Sequence, residues 1–484
     1  MLVGLFVLAT LAVKGPINGC EPVGSGPTAT QWLERAEAAV GLPRIAGKVL
    51  AFQANDISIL TNQSDRMYPP FIHTSNDTEW WFEPATGAER GGPAGRAAKS
   101  GFLHTGKATW QVRDTTLIPI PAAHAFLKAG RDLNPLAMLV DWRAAPGLRV
   151  EGRCIYREYP RTVLTRADGS RLFLDTKSAI PVKLERTEPH YLWGQVKVEY
   201  VYATWWAAGP VILPVATTRL VDGQEEVTRA LTLGPSTARV TDSAPFMRVP
   251  SDAPDMSTAE QPMLTLGKLD TMRLGANAFL MLNRAYRGGL LLARDTVWVL
   301  DATQGEDRAR ADSAWIAKLF PGKHAVAVVV TDLAWPHISG VRFWVARGAT
   351  IVTHPMSREF LQRVVDRRWT LKPDALEQTK PRATIRFRFV SDSLVAGGGA
   401  IRLYPIDGVG SEGALMAWLP DTKFLWAGDY LQDNTEPTQY ATEVWTATRR
   451  AGIMPERVAA QHLDLTPWKT IADLGARLAP GAKP

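Results

Sequence analysis

The pattern of apolar residues changes once along this chain, near residue 250, and that change constrains the fold most. Before it, apolar and polar residues alternate in short segments separated by turn residues. Asp168-Gly169 lies between two such segments within residues 163–174, and Asp222-Gly223 marks a further turn. Asp-Gly between alternating segments is typical of antiparallel hairpins, because glycine adopts the positive φ of a tight turn. Residues 30–249 are therefore predicted to form a mainly antiparallel β domain.

A short helix is predicted ahead of this sheet, over residues 31–40. Apolar residues recur at helical spacing, so that Trp32, Leu33, Ala36 and Val40 share one face. Thr30 is the predicted N-cap, and Gly41 is the predicted end.

Beyond residue 262, uniformly apolar segments alternate with amphipathic segments. The apolar segments are predicted to be buried strands, and the amphipathic segments are predicted to be helices. This alternation predicts an α/β layered domain over residues 263–484. The predicted order is strand 296–300, helix 311–320, strand 325–330, helix 339–347 and strand 349–353.

Length and charge agree with two soluble domains. A chain of 484 residues is too long for one ordinary core, and residues 250–262, rich in Pro, Ser, Asp and Ala, are the predicted linker. The formal net charge of +7 is small for this length, and no run of Lys or Arg forms a basic stripe. We therefore expect no nucleic-acid partner.

Residues 1–29 are predicted to be an export signal followed by a tether. Residues 1–13 are apolar but too short to span a bilayer, and no basic residue precedes them. Residues 17–20 resemble a lipoprotein cleavage motif, which predicts a periplasmic protein or one anchored through a lipid on Cys20. A cytoplasmic protein with an incidental Cys20 is the alternative. Cys154 is predicted to be an unpaired core thiol.

Four segments of the second half carry a further pattern. They are Asp301 at a strand end, residues 331–340 (TDLAWPHISG), residues 419–429 (LPDTKFLWAGD) and residues 458–462 (VAAQH). Their order and spacing resemble the metallo-β-lactamase fold superfamily, whose usual string after the second buried strand is Thr-His-x-His-x-Asp-His-x-x-Gly. The resemblance covers about the last 220 residues. It implies an αββα sandwich for residues 263–484, preceded by the β-rich domain.

The resemblance also implies a metal site, because this superfamily typically binds two divalent ions, usually zinc. The three histidines of its first site fall on Asp332, Ala334 and Gly410, so that site has lost its ligands. The four ligands of its second site fall on the residues Pro336, His337, Asp429 and His462, of which the last three keep ligand side chains.

Two functions remain open. The preferred one is a pseudoenzyme or binding protein with a degenerate site, no metal and an unknown small-molecule ligand. The alternative is a mononuclear hydrolase that cleaves an ester, amide, lactone or thioester bond. In that case His337, Asp429 and His462 would hold one zinc or iron ion, since three protein ligands suffice for a catalytic zinc. Asp332 would be catalytic, as a fourth ligand or a base, and Trp335 would line the pocket.

Overall fold

The computed structural model describes residues 20–22, 24, 26–61, 66–97, 99–105, 109–114, 116–120, 131–234, 237–248, 268–283, 286–433 and 438–478. The predicted linker and most of the predicted export segment lie outside these residues. The chain divides into two compact units, neither of which is contiguous. The first contains Met1–Ile57, Asn76–Thr187 and Lys197–Ala259, and the second contains Ser58–Ser75, Glu188–Val196 and Glu260–Pro484. The sequence predicts two contiguous domains. In the structure, two short segments of the first half, Ser58–Ser75 and Glu188–Val196, belong to the second unit.

Helix α1 (Ala29–Val40) opens the first unit. Thr28, rather than the predicted Thr30, is its N-cap. The Thr28 side chain accepts a hydrogen bond from the backbone of Gln31, and the Gln31 side chain accepts one from the backbone of Thr28. This capping box satisfies two donors that the first helical turn leaves free, so the helix begins at Ala29, two residues earlier than the apolar pattern indicates. Gly41 ends the helix with φ 84°, as predicted.

The first unit is built on one fourteen-stranded sheet in which consecutive strands are mostly neighbours. The spatial order is β6-β5-β4-β3-β2-β1-β13-β12-β11-β10-β9-β8-β7, and β14 also pairs with β1. The strands are β1 (Val49–Ile59), β2 (His73–Glu83), β3 (Ala88–Pro93), β4 (Ser100–His104), β5 (Thr109–Arg113), β6 (Thr116–Ile120), β7 (Arg149–Tyr156), β8 (Tyr159–Thr165), β9 (Arg171–Asp175), β10 (Pro181–His190), β11 (Gly194–Ala208), β12 (Val211–Val221), β13 (Gln224–Leu231) and β14 (Ala238–Thr241), with helix α2 (Pro135–Arg143) between β6 and β7.

Both predicted Asp-Gly turns are present in this sheet. Strands β8 and β9 pair antiparallel around Asp168-Gly169, with Leu164 opposite Leu172, and strands β12 and β13 pair around Asp222-Gly223. The prediction of an antiparallel meander is therefore confirmed for the described part of the first unit.

The two cysteines are bonded to each other. Cys20 and Cys154 form a disulfide, and Glu21 beside Cys20 pairs with Arg153 of β7. The prediction of an unpaired core thiol at Cys154 is therefore wrong, because spacing in the sequence does not reveal a pairing across 134 residues. The disulfide also uses the only sulfur of Cys20, so it contradicts the predicted lipid on that atom.

The second unit contains two sheets. A seven-stranded sheet has the order β15-β16-β17-β18-β19-β20-β21 and is parallel from β18 to β21, whereas a six-stranded sheet has the order β22-β23-β24-β25-β26-β27 and has one parallel pair, β25 and β26. The strands are β15 (Asp270–Gly275), β16 (Ala278–Leu282), β17 (Gly288–Ala293), β18 (Thr296–Leu300), β19 (Ala325–Val329), β20 (Thr350–Thr353), β21 (Arg386–Phe389), β22 (Leu394–Ala396), β23 (Ile401–Pro405), β24 (Leu415–Leu419), β25 (Phe424–Trp426), β26 (Arg457–Ala460) and β27 (Leu463–Pro467).

Helices separate these strands, as the alternation in the sequence predicts. They are α3 (Gly305–Leu319), α4 (Trp335–Ile338), α5 (Val341–Ala346), α6 (Arg358–Asp366), α7 (Ala375–Gln378), α8 (Thr438–Arg450) and α9 (Trp468–Leu478). Among the described residues, none of the helices has the length and apolar character needed to cross a bilayer.

The core of the second unit lies between its two sheets. Trp298 and Val329 from the seven-stranded sheet pack in one apolar cluster with Leu403, Leu415 and Trp426 from the six-stranded sheet. A second cluster joins Val444 of α8 and Ile471 of α9 to the six-stranded sheet, so these helices cover its other face. The chain segments that follow β19, β25 and β26 then carry Asp332, Asp429 and His462 at the carboxyl ends of these strands, where open α/β sheets bind ligands.

Candidate metal centre

His337 lies in the short helix α4, which follows β19, and its side chain is fully buried. Its Nδ1 is 2.9 Å from Oδ1 of Asp332. Its Nε2 has no hydrogen-bond partner among the described residues and lies 3.8 Å from Oδ1 of Asp429. A buried ring nitrogen without a partner costs about 1–3 kcal/mol, so this atom requires an explanation.

Asp429 and His462 complete the group. Nε2 of His462 is 3.4 Å from Oδ1 of Asp429, and one potential ligand atom from each of the three residues lies within 4.8 Å of the others. The two outer side chains are 30% and 27% exposed, whereas His337 is 0% exposed. The structure therefore brings together the three residues that the sequence indicated as surviving ligands. Two imidazoles and one carboxylate form a donor set that suits zinc, so these residues fit the ion that the resemblance implies.

Asp332 contacts Nδ1 of the His337 ring, whereas the nitrogen without a partner is Nε2. Its Oδ1 also accepts the backbone N–H of Ala334 at 2.9 Å, and its Oδ2 accepts Nε2 of Gln461 at 3.3 Å. Both carboxylate oxygens of Asp332 therefore have hydrogen-bond partners other than Nε2 of His337. A carboxylate on Nδ1 sets the tautomer and orientation of a metal-binding histidine, and this is the position that Asp332 occupies.

Asp301 supports the start of the same loop from β18. Its Oδ1 accepts the backbone N–H of Thr331 at 2.8 Å, and its Oδ2 accepts Nε1 of Trp426 at 2.8 Å. Burial and the nearby charge of Asp332 raise the pKa of Asp301 to about 7. The loop that carries Asp332 and His337 is thus tied to both sheets of the second unit.

Several carboxylates set the electrostatics of the group. Burial lowers the pKa of His337, but the negative charges of Asp429 and Asp332 outweigh that effect and raise it to about 9. Burial raises the pKa of Asp429 to about 6, against the opposing effect of His337. A pocket that favours a positive charge on His337 also favours a bound cation, which would replace that proton.

Three positions at which the resemblance implies ligands, Gly410, Ala334 and Pro336, have other neighbours. A Cβ added to Gly410 would lie 2.7 Å from Cε1 of Tyr440 and 3.0 Å from Cε1 of Tyr430, so two tyrosine rings occupy the space beside it. Ala334 is the N-cap of α4, and the carbonyl of Pro336 accepts the backbone N–H of Gln304 at 2.8 Å. No side chain at these three positions can bind a metal.

Trp335 is 9% exposed and packs within an aromatic cluster of the second unit. Its ring centroid lies 5.3 Å from that of His190 and 5.5 Å from that of Trp193. Its predicted place in a pocket wall stays a prediction.

Sequence reasoning missed three residues around the group. The ring of Tyr286 lies beside both imidazoles, Gln461 donates to Asp332, and Arg287 donates its backbone N–H to the carbonyl of Gln461 at 2.9 Å. Gln461 directly precedes His462 in the quoted segment, so its position was a usable signal. Tyr286 and Arg287 precede β17 and belong to no quoted motif, so nothing in their spacing indicated them.

No protein-family model matches the sequence, and no curated protein matches it. Solved structures that are similar to this chain are metallo-β-lactamases. One from Erythrobacter litoralis, with β-mercaptoethanol in its active site, is 16% identical over 44% of this chain and 98% of its own, with a TM-score of 0.34. One from Hirschia baltica is 12% identical over 43% and 97%, with a TM-score of 0.34. One from Pontibacter korlensis is 13% identical over 43% and 98%, with a TM-score of 0.33. Nothing about activity or substrate follows from matches of this kind.

Proposed function

We propose that the second unit is an αββα domain of the metallo-β-lactamase type and acts as a one-metal hydrolase. His337 through Nε2, Asp429 and His462 would hold the ion. The buried, unpartnered Nε2 of His337, 3.8 Å from Asp429, is the observation that carries this proposal. A buried nitrogen without a hydrogen-bond partner lowers the stability of the fold, and a cation bound to that nitrogen would remove the penalty.

The ion we propose is zinc. Two histidines and one carboxylate bind zinc in catalytic sites that keep one position open, and they also bind iron in some oxygenases. When bound, the ion would polarise a substrate carbonyl and lower the pKa of water. The substrate class is an ester, amide, lactone or thioester, because these share a carbonyl group that water attacks.

The chain's own residues have separate tasks in this proposal. Asp332 would keep the proton on Nδ1 of His337, so that Nε2 is the free nitrogen. Gln461 would hold Asp332 in place. Asp429 and His462 are the partly exposed members of the group, so a substrate would approach from their side.

A second candidate is a protein that binds metal and ligand without catalysis. Ala334, Pro336 and Gly410 favour it, because the resemblance implies ligands at these positions and none of these side chains can bind a metal. The two candidates differ in turnover and share the metal site.

Metal analysis of the purified protein tests the site. We expect about one equivalent of zinc, absent from His462→Ala and retained by the control His324→Ala, whose ring contacts the carbonyl of Pro321 at the other end of β19. Added zinc should raise the melting temperature of the metal-free wild type, since binding to the native state stabilises it. Metal-free protein whose melting temperature does not change on adding zinc would overturn the proposal. One equivalent of iron in the purified protein would show that the ion is iron rather than zinc.

A panel of carbonyl substrates then separates the candidates. We expect the zinc-loaded wild type to hydrolyse at least one ester, lactone, thioester or amide, and His462→Ala to lose that activity. One bound zinc without turnover of any member of the panel would favour the binding protein.

We also propose that the protein is exported. The disulfide between Cys20 and Cys154 supports this, because such bonds persist in oxidising compartments and are rare in the cytosol. Mass spectrometry of the protein from a periplasmic fraction, with and without reduction, tests it. Finding the protein only in the cytosol with free thiols would contradict it.

A further inference from the structure

Tyr286 lies against the proposed ligands, although it belongs to no motif. It stands between β16 and β17, and its ring centroid is 4.9 Å from that of His462 and 5.6 Å from that of His337. Its side chain is half-buried. One residue thus covers both imidazoles of the site while it remains reachable from solvent.

The backbone, not the hydroxyl, holds Tyr286 in place. Its carbonyl accepts Nη1 of Arg308 at 2.9 Å, and Arg308 is 1% exposed and paired with Asp312. The next residue, Arg287, donates its N–H to the carbonyl of Gln461. These contacts tie Tyr286 to helix α3 and to the segment that carries His462. The phenol is therefore not needed to position the ring.

Among the described residues, no group forms a hydrogen bond with Oη of Tyr286. Its ring lies against the imidazoles of both His337 and His462. The carboxylate of Asp332 is already engaged, since it bonds Nδ1 of His337 and accepts Nε2 of Gln461. An uncommitted O–H donor therefore stands beside the ligand group.

We propose that Tyr286 is a catalytic residue whose Oη–H donates a hydrogen bond to the carbonyl oxygen of the substrate; this inference rests on the proposed hydrolase function. In the reaction, the oxygen of water bonds to the carbonyl carbon, the bond to the leaving atom breaks, and one proton of that water ends on the leaving atom. Tyr286 keeps its own proton throughout. Its hydrogen bond strengthens as negative charge builds on the carbonyl oxygen, which is how an oxyanion donor accelerates acyl transfer.

The variant Tyr286→Phe removes only Oη and keeps the ring. We expect zinc content to stay at about one equivalent and kcat for 4-nitrophenyl acetate to fall about 10²–10³-fold, with KM changed far less. Tyr404→Phe, in β23, is the matched control and should leave kcat unchanged. An unchanged kcat in Tyr286→Phe would overturn the inference. Loss of zinc in that variant would also overturn it, because Tyr286 would then be a ligand.

Binding of methylphosphonate gives a second readout without turnover, since it imitates the anionic tetrahedral intermediate. Calorimetry on zinc-loaded protein should show at least about tenfold weaker binding to Tyr286→Phe than to the wild type, which is about 1.4 kcal/mol. Equal affinities, or no binding to the wild type, would count against the donor. Absence of zinc from the wild type would instead defeat the proposed function itself, so the two failures are distinguishable.

Discussion

The two halves of the candidate site differ in what their residues do. At the second-site positions, His337, Asp429 and His462 converge within 4.8 Å, and a buried nitrogen remains open. At the first-site positions, Gly410 lies against tyrosine rings and Asp332 bonds to the back of His337. The first-site positions are therefore not empty, because tyrosine rings fill the space at Gly410 and Asp332 supports His337.

The difference lies in packing. The rings of Tyr440 and Tyr430 lie so close to Gly410 that a side chain there has no room. Asp332 stands where the resemblance implies a ligand, and in the structure it orients the ligand next to it. The comparison predicts that the first half cannot be restored by replacing ligands alone.

The largest expected effect comes from such a restoration. The triple variant Asp332→His, Ala334→His and Gly410→His should lose about 3 kcal/mol or more of unfolding free energy, because a histidine at Gly410 overlaps the ring of Tyr440. Its metal content should not exceed one equivalent. Denaturant unfolding and metal analysis check both expectations. Two equivalents of zinc in a stable triple variant would show that the first-site positions can still hold a metal.

Gly410→Ala measures how much the close packing of Tyr440 against position 410 alone affects stability. Its Cβ would lie 2.7 Å from Cε1 of Tyr440, so we expect a loss of about 1–3 kcal/mol in unfolding free energy. Tyr440→Leu should relieve part of that loss, and a double-mutant cycle measures the relief. Purely additive effects would show that Tyr440 does not occupy this space. Gly234→Ala, where an added Cβ meets nothing within 4 Å and φ is not positive, is the matched control.

Asp332→Asn tests the support that the lost half provides. Removal of the carboxylate from Nδ1 of His337 should weaken zinc binding about 10–100-fold, with little change in fold. Competition against a chelator of known affinity measures this change. Asp295→Asn, at the turn between β17 and β18, is the matched control. Unchanged affinity would mean that Asp332 plays no part in positioning His337.

The pH dependence of zinc affinity gives the smallest effect when it is counted for each pH unit. Because the folded pKa of His337 is about 9, the imidazolium must lose a proton to bind through Nε2 at neutral pH. The affinity should therefore rise about tenfold per pH unit, or about 1.4 kcal/mol, until the pH reaches about 9. In Asp332→Asn the rise should end at a lower pH, since a charge that raises this pKa is gone. A flat profile from pH 6 to 9 would contradict the buried ion pair.

The sequence by itself determined the local elements of this protein. The Asp168-Gly169 and Asp222-Gly223 turns follow from residues that lie side by side, and the strand at 296–300 follows from its own apolar run. The candidate ligands His337, Asp429 and His462 followed from the resemblance of short segments to the metallo-β-lactamase pattern, which consecutive residues carry. Local preferences act over a few residues, so a sequence records them directly.

The tertiary structure alone decided everything that joins distant residues. It paired Cys20 with Cys154 across 134 residues, placed the ring of Tyr286 beside His337 and His462, and turned Asp332 toward Nδ1 of His337. It also moved residues 58–75 and 188–196 into the second unit. Such contacts depend on how strands, helices and loops pack, and no spacing within one segment encodes that packing.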